Sequence, residues 1–140
     1  MTASFQSSSS AQGRAFAQQC DALLAGLGFS LDGATKIAGI GVEVDQVATS
    51  SRGQLVWFEY KGSIQGSRPG LLRTDTLKKA VANGALLAAV ADHPPYMVLT
   101  SHLPAAGAGH EMLQTALQMD YFADVVCIYD PSDQARLKHL

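Results

Sequence analysis

The chain has 140 residues, 47% of them hydrophobic, and its 10 basic against 12 acidic side chains leave a formal charge of −2. That length and apolar content predict one folded domain with its own core. The near-neutral balance excludes a protein that grips nucleic acid through its whole surface; such a partner would need a local basic patch.

Residues 1–10 are polar and serine-rich and predict a flexible N-terminal arm, with residues 11–140 as a single domain. The start lacks the basic and apolar segments of a secretory signal, and no apolar run could span a bilayer, so a cytoplasmic protein with no membrane contact is expected. Cys20 and Cys127 are the only cysteines. Reduced thiols fit that setting, and a single disulfide stays open.

Over residues 11–27, Phe16, Cys20, Leu23, Leu24 and Leu27 recur at helical spacing, and Gly26 and Gly28 supply the stop. A first strand is expected around 35–40. Residues 41–61 read as a β-hairpin with its turn at Ser50, Ser51, Arg52 and Gly53. In the outgoing strand, alternation puts Glu43 and Asp45 on one side and Val42 and Val44 on the other, and Val47 is read with these valines although it is out of step with them. The return strand, 54–61, sets Glu59 and Lys61 on one face and Phe58 and Tyr60 on the other. Residues 62–70 are a loop by glycine and proline content. A second helix opens at Thr74 or Asp75 and runs to about 91; a strand follows at 96–100, then a third helix over 111–121 and a strand over 123–129. The polar tail has room for a short terminal helix. The order α-β-β-β-α-β-α-β predicts an α/β fold, a mixed central sheet flanked by helices.

An acid on one strand and a carboxylate-x-lysine on the next suit metal-assisted phosphodiester hydrolysis. Mg²⁺ prefers carboxylate and carbonyl oxygens, so Asp45, Glu59 and the backbone carbonyl of Tyr60 form a ligand set, with Glu43 as a further candidate; Mn²⁺ would substitute. Lys61 would then orient the attacking water and balance the charge developing on the phosphate. Arg68, Arg73, Thr74, Lys78 and Lys79 follow closely, and read either as a phosphate-contacting patch at a helix start or as a solvated helix face. Other motifs fail: Gly39-x-Gly41 lacks the third glycine of a dinucleotide loop, His110-Glu111 has no second histidine, and Ser63 and Ser67 have no GxSxG frame.

Asp45, a hairpin turn, and then Glu59-Tyr60-Lys61 resemble the active-site signature of the PD-(D/E)XK nuclease superfamily, the restriction-endonuclease-like fold. That fold's common core is a helix, a three-stranded meander, a helix and a further strand, the order read here from residue 11 to about residue 100. The resemblance implies a Mg²⁺-dependent deoxyribonuclease, with Asp45, Glu59 and Lys61 as catalytic residues, acting on DNA as a homodimer. Two departures stand out: Val44, not proline, precedes Asp45, and Gln18 and Gln19 stand where many members carry a glutamate on the first helix. Two other readings compete: a nucleic-acid-binding or assembly module of the same fold that does not cut, and an unrelated α/β protein whose charged face is merely solvated.

Overall fold

Runs of β-branched and aromatic residues that alternate, or are apolar throughout, make strands that can be covered on both sides. In the computed structural model, described for residues 2–62 and 70–140, with the side chains of 2–10 and 12 outside the description, five such strands form one sheet. They are β1 (Ser30–Ile37), β2 (Val42–Thr49), β3 (Leu55–Lys61), β4 (Tyr96–Thr100) and β5 (Asp124–Cys127), side by side in that order. The first three make an antiparallel meander, and β4 and β5 join it in parallel. Parallel neighbours need a crossover, which α2 (Thr74–Leu87) supplies before β4 and α3 (Gly107–Gln118) before β5.

The helices lie in two layers, one on each face of the sheet. Leu77, Ala80 and Leu87 of α2 and Leu113 and Ala116 of α3 pack on Val42, Val44, Trp57, Tyr96, Val98 and Val125. On the opposite face, Phe16, Cys20 and Leu24 of α1 (Thr2–Gly26) and Leu137 of α4 (Pro131–Leu137) cover Ala48, Val56, Phe58, Met97, Leu99 and Val126. The chain is therefore α/β, with a mixed five-stranded sheet between helices. Among the described residues no helix is long and apolar enough to cross a membrane, and both cysteines are free.

Several boundaries differ from expectation. The first helix begins at Thr2, so the serine-rich stretch extends it instead of forming an arm; once residues 15–26 are docked, each further turn adds backbone bonds without a new nucleation cost. The first strand lies at Ser30–Ile37, because Gly39 and Gly41, at φ 78° and 80°, make the turn into β2. α2 stops at Leu87, beyond which the Ala89 and Val90 amides bond back three residues, to Leu86 O and Leu87 O, and tighten the chain before Pro94 and Pro95. α3 starts earlier than predicted and ends at Gln118, since Asp120 turns left-handed (φ 58°) and Tyr121 N–H closes the end on Ala116 O.

The difference that matters most lies inside β2. Val42, Val44 and Val47 belong to one core layer, yet Ala48 belongs to the other. Strict alternation would have placed Val47 opposite Val44. The pairing shows why: Thr35 partners Val44 and Gly33 partners Val47, so β2 carries one more residue than β1 across that interval. This is a β-bulge at Asp45 and Gln46, and it turns the strand over.

Candidate functional site

The bulge corrects the facing of the acids. Asp45 does not share a side with Glu43; its carboxyl meets that of Glu59 on the α2 face, close enough to act on it by charge and by hydrogen bond. Glu43 is exposed opposite Lys36 of β1 and does not join them. Asp45 Oδ2 also accepts from Tyr60 N–H at 2.7 Å, just past the last β2–β3 pair, Gln46 with Phe58. The carboxylate is thus tied to the backbone of the strand that bears Glu59 and Lys61.

β3 keeps strict alternation, so Glu59 and Lys61 share a face. Lys61 Nζ lies 3.3 Å from Glu59 Oε1. Glu59 is 4% exposed, which rules out the merely solvated reading for this group. Burial is the largest influence on it and the Asp45 charge the next; together they outweigh Lys61 and lift the Glu59 carboxyl to about 7. Near neutrality Glu59 therefore still carries a proton in part of the molecules, and its O–H can point toward Asp45.

Behind the sheet a second polar cluster fixes the bulge. Gln46, only 4% exposed, accepts from Gly33 N–H of β1 through Oε1 and donates through Nε2 to Asp21 Oδ1 of α1 at 3.1 Å. Tyr60 donates its O–H to the same Asp21 oxygen. Burial first, and then Asp21, push the Tyr60 phenol up, so it stays a donor. Asp21 was not singled out from the sequence. The available signal was its position beside buried Cys20 and three residues before buried Leu24, where an acid needs donors. Asp21→Ala leaves the Tyr60 hydroxyl and the Gln46 amide without their acceptor, and is expected to cost about 1–3 kcal/mol, read as a lower urea midpoint at unchanged m-value.

The proposed phosphate contacts are divided. Arg68 lies outside the described residues. Arg73 and Thr74 open α2 beside Gly70, whose backbone (φ 60°) presses on Thr100 and Ser101; a Cβ there would sit 2.7 Å from Thr100 Oγ1. Thr100 Oγ1 in turn donates to Lys61 O at 2.6 Å, so this end of α2 stands near Lys61. Lys78 and Lys79 are exposed on the outer side of α2, whose buried residues face the sheet, and the structure does not bring them to the carboxylates.

Three other titratable groups make packing contacts away from this site. Arg136 of α4 pairs with Asp124 at 2.7 Å and Asp133 at 2.8 Å, holding the helix to β5. His93 stacks on Trp57, and His110 contacts Pro104 O through Nδ1. Among the described residues no three of His, Cys, Asp and Glu converge, so protein side chains at this site offer a cation two carboxyls. Comparison with family models, with curated proteins and with solved structures finds no match.

Proposed function

We propose that the chain is a Mg²⁺-dependent nuclease of the PD-(D/E)XK kind that hydrolyses DNA phosphodiester bonds. The observation that carries the reading is the convergence of Asp45, delivered by a bulge, with Glu59 and Lys61 of the adjacent strand on one buried face. Bulges are frequent next to active sites, where they re-aim a side chain. The order of helix, antiparallel meander, helix and parallel strand is also the core expected for that superfamily.

The donor set fits a hard dication. Two carboxyls forced together in a buried site must hold a proton or a cation between them, and oxygen donors suit Mg²⁺ or Mn²⁺. Asp45 and Glu59 would hold the ion with the Tyr60 carbonyl, and the bound ion supplies Lewis acidity at the scissile phosphate. Lys61, with its side chain 20% exposed, can reach solvent while it stays beside Glu59. Its ammonium is suited to orient a water for attack and to balance charge on the phosphate. Arg73 and the amides at the start of α2 would meet the neighbouring phosphates, with Arg68, Thr74, Lys78 and Lys79 extending the contact. A unit of this size would cover DNA as a homodimer.

A second reading, a DNA-binding or assembly module that does not cut, is favoured by the presence of only two converging acids among the described residues. One assay separates the two. Purified protein is expected to nick or cut duplex, single-stranded, flap or junction DNA with Mg²⁺ or Mn²⁺, and to be silent in EDTA. Binding without cleavage of any of these with either metal would replace the enzyme by the module.

A further inference from the structure

Glu59 is buried, and its two oxygens have different partners. Oε1 faces Lys61 Nζ at 3.3 Å. Oε2 accepts from the Tyr96 O–H, also at 3.3 Å. Both distances are long beside the ~2.5–2.9 Å of charge-assisted bonds, so the carboxyl is held between two donors and clamped by neither. Tyr96 is the first residue of β4; it partners Trp57, and Val98, two residues on, partners Glu59. A phenol at that position reaches along the face of the sheet to the carboxyl. Its ring is fixed by the core, with a centroid 6.0 Å from that of Phe122 and only 3% exposure. The Asn83 amide of α2 is a further hydrogen-bonding neighbour of the same phenol.

We infer that Tyr96 is a positioning residue of this site: by holding Oε2 of Glu59 from the interior, it directs the carboxyl toward Asp45, Lys61 and a divalent cation. The inference rests on the reading of Asp45 and Glu59 as a cation-binding pair. Without the phenol, Glu59 keeps Lys61 and Asp45 as its partners among the described residues, and its carboxyl gains freedom about χ3, a broad torsion that fixes no orientation by itself. Groups that orient a metal's ligands commonly change its affinity 10–100-fold when removed. The long Tyr96 contact places the expected effect at the low end of that range.

Tyr96→Phe removes the hydroxyl and keeps the ring that packs on Phe122, so the full chain should fold with its melting temperature lowered by only a few degrees. Titration with Mn²⁺ alone, followed by calorimetry and by the electron paramagnetic resonance of bound Mn²⁺, is expected to show about 10-fold weaker binding than wild type and a broadened bound-state spectrum. A phenol that served only packing would change stability and leave both readouts unmoved, and Tyr96→Phe binding Mn²⁺ as tightly as wild type would overturn the inference while the cation-binding pair stood. If the wild-type protein itself binds no Mn²⁺, the pair fails as a cation site and the inference falls with it.

Discussion

Lys61→Ala is expected to lower the rate of metal-dependent DNA cleavage on the order of 10²-fold or more, by analogy with removal of a preorganised donor that meets developing charge. The substitution spares both carboxylates, so DNA and Mn²⁺ should still bind. It also removes a cation that favours the charged form of Glu59, whose carboxyl would then rise beyond about 7. The comparison therefore belongs at saturating Mn²⁺ and at a pH well above neutrality, where protonation of Glu59 no longer limits loading. Under those conditions the loss should appear in kcat and not in the Mn²⁺ requirement. Cleavage by Lys61→Ala at the wild-type rate would remove Lys61 from the chemistry and leave it as the ion-pair partner of Glu59.

What the sequence disclosed about this site, and what it hid, follows from the range of the interactions involved. The facing of Glu59 and Lys61 was legible because β3 alternates without interruption: Phe58 and Tyr60 belong with one core layer, Trp57 and Glu59 with the other. The side taken by Asp45 was not legible. It depends on the bulge, and the bulge is held by Gln46 reaching Gly33 on one strand and Asp21 on a helix 25 residues away. No period-two pattern encodes such a tie. Read by alternation alone, Asp45 joined Glu43, which the structure leaves exposed opposite Lys36.

Tyr96 carried a usable signal. A tyrosine that opens an apolar strand must find a partner for its hydroxyl once buried, and the nearest carboxyl on the same face is Glu59. The element order was legible almost throughout, since helical spacing in residues 15–27 and 74–87 and the apolar runs of β4 and β5 each match one period. The ends were not, because they are set by left-handed residues such as Asp120 and by backbone closures such as Tyr121 on Ala116.

The Glu59 carboxyl also predicts a measurable cost of the site to the fold. Its pKa is lifted from 4.5 to about 7, burial contributing most and Asp45 next, against the opposing pull of Lys61. Between those two values the unfolded chain releases the proton while the folded chain retains it, so the unfolded state binds fewer protons and stability falls as pH rises. The contribution of this group is therefore neutral below about pH 4.5, worsens through the interval, and is fully unfavourable above pH 7. The distance between the two values corresponds to on the order of 3 kcal/mol. Glu59→Gln keeps the shape and an acceptor for Tyr96 but removes the charge, at the cost of leaving Lys61 without its partner, and Lys61 is exposed enough to be hydrated. The variant is accordingly expected to be more stable than wild type by about 1–3 kcal/mol at pH 8, with the two converging as pH falls toward about 4.5. Urea denaturation of both proteins across that range reads the difference directly. A constant gap across that range would mean that Glu59 titrates alike in the folded and the unfolded chain, the pull of Lys61 fully offsetting burial and Asp45.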